Sequence, residues 1–194
     1  KVNRIQVALL LPFMTNETTQ SSATSRFVEY YEGLLLAVDS LRNMGTSIEL
    51  SVYDTGNGTK KVKEILKEDA LSNANLIIGA VQNDQIGLIA DFAQKHNIKY
   101  VIPFTSKNDD VLSNANVYQV NTPHSYLYSK AAQAGCDLFS DYNIILVNIK
   151  DKEEKPEFIK AFKTEMQQRD IPFKEVTYKG DTFATDIEAA MVRD

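Results

Sequence analysis

Few residues in this chain could do chemistry, and most of them are short side chains. Asp54-Thr55-Gly56 is the triplet that aspartic proteases use, and it follows an apolar run. That chemistry needs two such aspartates sharing one proton, from two lobes or two subunits. Ile77-Ile78-Gly79 echoes a second protease element, but a helical pattern fills the interval, which an all-β protease lobe does not accommodate. The expected role of the triplet is a strand-end turn. Gly56-Asn57-Gly58 lies between a strand and a helix, where a phosphate-cradling loop would sit. It has neither the third glycine of the dinucleotide fingerprint nor the Gly-Lys-Ser/Thr of the P-loop. Asp109-Asp110 has no further ligand at regular spacing, so a solvated turn is expected there rather than a metal site. Cys136 is the one cysteine, and His96 and His124 are the only histidines. They offer no internal disulfide, no multi-thiolate metal site, and little material for a histidine-based triad. No catalytic residue, metal site or cofactor is expected.

What remains is a set of hydroxyls and amides following two short apolar runs. Gln82, Asn83 and Asp84 come after Gly79, and Thr105, Ser106 and Asn108 come after Pro103. Placed beside helix N-termini, such groups suit a carboxylate or similar anion, because unpaired backbone N–H groups point there. They also serve as ordinary helix caps. With no base poised to activate a hydroxyl, the set fits binding better than catalysis.

The elements that must position these groups are legible from periodicity. Ile5–Leu11 is a short, continuous aliphatic run, as a buried strand requires. A Ser/Thr-rich loop follows over 15–25. Phe27, Tyr30, Tyr31, Leu34, Leu35, Val38 and Leu41 then recur three and four apart, which predicts a helix capped by Thr24 or Ser25 and stopped near Gly45. Further strands are predicted at 48–53, 76–78, 100–102, 117–120, 144–149 and 173–178. Helical patterns fill the intervals: Val62, Ile65 and Leu66; Ile86, Ile89, Ala90 and Ala93, with Asn83 or Asp84 as cap; a helix opened by Thr122-Pro123; one opened by Pro156; and one over 186–193. Strand–helix–strand repetition at this spacing implies parallel strands joined by right-handed crossovers, with helices on both sheet faces. In such sheets ligands bind outside the carboxyl ends of the strands, where both polar sets fall.

Composition narrows the function classes. The 194 residues are 43% hydrophobic and 24% charged, enough apolar material for a packed core. Lys+Arg number 21 against 26 Asp+Glu, for a net charge of -5. That balance argues against a nucleic-acid partner and against docking on an anionic membrane surface. The longest apolar runs, Val7–Leu11 and Leu34–Val38, fall far short of the ~18 residues of a membrane span, so no membrane insertion is expected.

The order of segments resembles the type I periplasmic binding protein superfamily, in its amino-acid-binding, receptor-like branch. The residues that carry the likeness are Ile5–Pro12, Tyr31–Asp39, Ile48–Asp54, Leu76–Gly79, Tyr100–Ser106 and Val117–Asn121. More narrowly, Arg26–Gly33 and Val101–Asn108 resemble a Bacteroides-type envelope group in which this domain accompanies a LysM peptidoglycan-binding module. No LysM pattern occurs in these residues.

The resemblance implies two α/β lobes hinged around a cleft. The first would be a doubly wound parallel sheet over 1–121, and 122–194 would begin a second, incomplete α/β lobe. By position, the ligand falls to Phe13, Gln82, Asn83, Thr105 and Ser106. Gln82-Asn83 stands where the amino-acid binders favour Ser or Thr, and Lys150–Glu154 replaces their aromatic and glycine loop. The implied function is a non-enzymatic binding module of the periplasm or cell envelope. Its partner would be a small molecule, an amino acid or similar anion, or a cell-wall component. The alternative on the same fold is a module that has lost its small ligand and contacts a protein or peptidoglycan.

Overall fold

The computed structural model describes residues 4–16, 21–149, 156–178 and 183–191. The chain divides into two compact units, Lys1–Pro123 and His124–Asp194. The first unit is built on a five-stranded sheet, all parallel, formed by β1 (Ile5–Leu11), β2 (Ile48–Asp54), β3 (Leu76–Gly79), β4 (Lys99–Ile102) and β5 (Val117–Gln119). Their spatial order is β2-β1-β3-β4-β5. The order reverses at β1, whose neighbours are β2 and β3, so the carboxyl ends of β1 and β3 flank the topological switch point where open α/β sheets place their ligands.

The connections are α1 (Ser22–Asn43), α2 (Lys60–Ile65), α3 (Asp69–Ser72) and α4 (Asn83–His96). One sheet face, carrying Ala8, Leu10, Ile77, Tyr100, Ile102 and Val117, closes on Val62 and Ile65 of α2, Leu71 of α3, and Ile86, Ile89, Ala90 and Ala93 of α4. The other side chains of β1, those of Val7, Leu9 and Leu11, are buried as well. A central strand covered on both faces has no use for polar–apolar alternation, which is why β1 is unbroken aliphatic from Val7 to Leu11.

Local chemistry sets several boundaries differently from the periodicity. Helix α1 starts at Ser22, capped by Ser21, whose Oγ accepts from Thr24 N at 3.2 Å. Thr24, expected as the cap, is buried inside the first turn, with its Oγ1 3.0 Å from that of Ser21. At the other end Gly45 (φ 89) gives its N–H to Arg42 O, as its expected stop role requires. Gln82, not Asn83 or Asp84, is the N-cap of α4, and its side chain makes no cap bond. Asp84 Oδ1 instead accepts from Gln85 N within the first turn. The four-residue α3 is too short to leave a periodic signal.

The second unit contains α5 (His124–Phe139), β6 (Ile144–Ile149), α6 (Pro156–Gln168), β7 (Phe173–Tyr178) and α7 (Phe183–Met191). Strands β6 and β7 pair in parallel, Ile144 opposite Phe173 through Ile149 opposite Tyr178. Helices α5 and α6 pack through Tyr128 against Phe158 and through Phe162, which lies where a Cβ on Gly135 would stand. Cys136 is buried in this unit, as its apolar neighbours in sequence suggested. Arg169 ties α5 to α6 by pairing with Asp137 and with Glu165. The charged run after β6 and the chain end at Asp194 lie outside the described residues.

Candidate functional site at the carboxyl edge of the first sheet

Parallel pairing brings the segments after β1, β2, β3 and β4 to one edge of the sheet. Asp54, the last residue of β2, organises the first two. Its carboxylate accepts from Met14 N (3.1 Å), Thr15 N (3.1 Å), Thr15 Oγ1 (2.8 Å), Gly56 N (3.0 Å) and Lys61 Nζ (2.9 Å). Burial alone would raise its pKa. The bonds from Lys61, from the Thr15 hydroxyl, and from the Thr15 and Gly56 amides outweigh it and hold the carboxyl well below the usual range. Such a group is a poor general base, and its oxygens already have donors. Asp54-Thr55-Gly56 is a structural turn. The bond to Met14, which adopts φ 53, also fixes the segment that carries Phe13.

The β3 end is shaped by the tight approach of two strands. Gly79 adopts φ 125, and a Cβ there would lie 2.0 Å from Leu10 O. Ala80 follows at φ 56, fully buried, with its N–H on that same carbonyl at 2.7 Å. The Tyr100 hydroxyl donates to Gly79 O at 3.1 Å. A buried, left-handed non-glycine residue, held through its N–H and through the carbonyl before it, is the kind of stored strain that clusters at functional edges.

The loop after β2 is held from α4. Gln82 accepts from Gly58 N through Oε1 (3.0 Å) and donates to Asn57 Oδ1 through Nε2 (3.2 Å). Buried Gln85 donates to Gly56 O (3.2 Å) and Gly58 O (2.8 Å). The N–H groups of Gly56 and Gly58 are thus used internally, so neither glycine is available to a phosphate cradle.

The segment after β4 turns on Thr105, whose Oγ1 accepts from Lys107 N at 3.0 Å and keeps its own hydroxyl proton to donate. Gln119 Nε2 fastens Thr105 O at 2.9 Å, and Asn83 Nδ2 reaches Lys107 O at 3.4 Å. Asn108, placed in the same polar set by the sequence, is buried and forms a closed turn with Asp110.

An aromatic group completes the edge. Phe13 meets Tyr31 of α1 edge-on at 5.9 Å, and Phe104 meets Phe27 and Tyr30 at 5.5 and 4.8 Å. Burial raises the Tyr30 phenol pKa.

Of the residues singled out in the sequence, Phe13, Gln82, Thr105 and Ser106 are half-buried and Asn83 is exposed. Contacts link Asn83 to the Thr105 turn, while Gln82 faces the 57–58 loop. Sequence reasoning missed Asp54 as an organiser, and Phe104 with its partners on α1. The aromatic spacing Phe27, Tyr30, Tyr31 was the available signal for the latter. Among the described residues, no group of three or more His, Cys, Asp and Glu is placed to hold a metal ion.

No family model matches the sequence, and no curated protein sequence matches it. Solved structures do match. The ABC transporter substrate-binding protein from Desulfitobacterium hafniense in complex with Leu superposes with a TM-score of 0.64 at 14% identity, over 96% of this chain and 54% of that protein. A putative branched-chain amino acid ABC transporter from Rhodospirillum rubrum gives 0.66 at 13% identity, over 96% and 55%. A solute-binding protein from R. palustris in complex with benzoate gives 0.56 at 18% identity, over 95% and 51%. The chain thus spans about half the length of these proteins. Its fold, a parallel five-stranded sheet flanked by helices, is that of a lobe of the type I periplasmic binding proteins.

Proposed function

We propose that this chain is part of a non-enzymatic substrate-binding protein of the cell envelope. Its ligand is a small carboxylate-bearing molecule held at the carboxyl edge of β1, β3 and β4. The observations that support this reading are an aromatic pair after β1, Phe13 with Tyr31, and, after β4 on the same sheet edge, the hydroxyl-bearing turn at Thr105–Ser106 that Asn83 joins through Lys107 O. Leucine and benzoate, which accompany two of the similar structures, share only a carboxylate and an apolar body. The edge offers a partner for each.

Within this proposal Thr105 and Ser106 receive the carboxylate, Asn83 adds an amide at the α4 start, and Phe13 packs against the apolar body. Gln82 contributes by holding the 57–58 loop in place. Asp84 in the first turn of α4 partly offsets the positive potential of that helix end, so the larger share falls to the hydroxyls. Two or three such charge-assisted bonds contribute about 1.5–3 kcal/mol each before the entropic cost of association. Binding by this chain alone is therefore weak.

We further infer that 122–194 belongs to a second lobe completed by additional chain. Helix α5 buries Ala132 and Cys136 yet leaves a second stripe, Leu127, Ala131, Ala134 and Leu138, facing solvent. A helix apolar on two sides is suited to lie between two layers. Linkage to a peptidoglycan-binding LysM module belongs to the same proposal, and co-sedimentation of the longer protein with purified peptidoglycan tests it.

The binding site is tested by titration calorimetry of this chain with leucine, benzoate and their amides, which lack the carboxylate charge. The expected result is weak binding of the carboxylates, little of the amides, and loss of both in a Thr105→Ala/Ser106→Ala variant. Carboxylate binding unaffected by that double change would place the site elsewhere.

A further inference from the structure

Asn57-Gly58 is the single Asn-Gly pair in the chain. Asparagine before glycine is the dipeptide most open to spontaneous deamidation, because the following N–H is unshielded and the backbone turns freely. The Gly58 nitrogen loses its proton and attacks Asn57 Cγ. The new C–N bond closes a five-membered imide as the Cγ–Nδ2 bond breaks and ammonia leaves. Water then opens the imide at either carbonyl, giving aspartate or isoaspartate. Asn57 is exposed, Gly58 adopts φ 64, and apart from its two chain neighbours no residue comes within 4 Å of where a Gly58 Cβ would stand. Water therefore has access.

The two reacting groups are nevertheless both held by one planar amide. Gln82 Oε1 accepts the Gly58 N–H at 3.0 Å, and Gln82 Nε2 donates to Asn57 Oδ1 at 3.2 Å. The Gly58 N–H can only donate, so the orientation of the Gln82 amide is fixed. Gln85 adds a brace on each side, through Gly56 O and Gly58 O. Closing the imide requires the Asn57 side chain to swing and the Gly58 N–H to lose its acceptor, and the Gln82 amide opposes both movements.

We propose that Asn57-Gly58 is a latent self-modification site on the ligand edge of the sheet, kept intact by the Gln82 clamp. Modification would place a new negative charge on the loop. In the isoaspartate product it would also lengthen the backbone between the two carbonyls that Gln85 holds. Either change releases the loop from the start of α4.

The test is incubation of the purified 194-residue chain at mildly alkaline pH, with peptide mapping of aspartate and isoaspartate at position 57. The folded protein should modify about tenfold more slowly than the same chain in urea, the scale set by two neutral hydrogen bonds. Gln82→Ala should recover most of that factor with its circular dichroism unchanged. Gln82→Glu keeps the acceptor for Gly58 N and loses the donor to Asn57, and should fall between the two. The proposal is overturned if the folded protein modifies as fast as the unfolded one, or if folded Gln82→Ala is no faster than the parent. If Gln82→Ala does not fold, Gln82→Glu decides, and a rate equal to that of the parent overturns the proposal.

Discussion

Asp54 and Gly79 illustrate two ways in which one residue sets the candidate edge. Asp54 gathers three backbone amides, a hydroxyl and an ammonium. Asp54→Ala leaves those donors unpaired and should lower stability by about 2 kcal/mol, read as a shift in urea midpoint. Asp54→Asn turns an NH2 toward Lys61 and Thr15 and should also destabilise. Because the folded pKa lies below the unfolded one, this contribution is whole above the ordinary aspartate value of about 4 and declines as pH falls below it. The gap between parent and Asp54→Ala should accordingly narrow in acid. A gap that does not change with pH would mean the carboxylate charge is irrelevant. Gly79 acts through space: with Leu10 O at 2.0 Å from any Cβ, Gly79→Ala should cost about 3 kcal/mol or more. A variant that melts like the parent would show that the β1–β3 approach can relax.

Among the elements, α1 depends on its ends as well as its stripe. Ser21→Ala removes the acceptor for Thr24 N and should cost about 1 kcal/mol by thermal melting. The sequence concealed that cap because Ser21, Ser22, Thr24 and Ser25 are all plausible caps, and side-chain bonds rather than residue type decide among them. Strands were easier to read. The run Val7–Leu11 is buried on both faces, and the stripe of Ile86, Ile89, Ala90 and Ala93 is the buried face of α4. Buried area determines these patterns, and it leaves a periodic trace. The organisation of the edge leaves none. The partners Asp54 and Thr15, Gln82 and Gly58, and Asn83 and Lys107 are separated by 39, 24 and 24 residues. They meet only because parallel strands bring their carboxyl ends together. The types of residue at the edge were readable, and their pairings were not.

On the scale of the whole molecule, the two units should differ in autonomy. The first encloses a contiguous core between its sheet and α2, α3 and α4. The second leaves Leu127, Leu138, Phe139 and Tyr142 largely exposed. Residues 1–123 produced alone should unfold cooperatively in urea, while 124–194 alone should show no sharp transition. A sharp transition in the isolated second piece would contradict the proposal that it belongs to a larger lobe. None of the described helices is long and apolar enough to cross a membrane.

The Tyr100 hydroxyl, bonded to Gly79 O in the middle of the first sheet, gives the molecule its own optical reporter. With nine tyrosines and no tryptophan, the near-ultraviolet change on ionisation comes from phenols alone. Burial, and secondarily the charge of Asp110, push the Tyr100 phenol far above its ordinary value. Its neutral form belongs to the folded state, so the stability it contributes is whole below about pH 10 and is lost as pH rises further. In an alkaline titration, one phenolate should therefore form only as the β3–β4 ladder opens, in step with the loss of circular dichroism. That late step timestamps the rupture of the candidate edge without a dye, a label or a bound ligand.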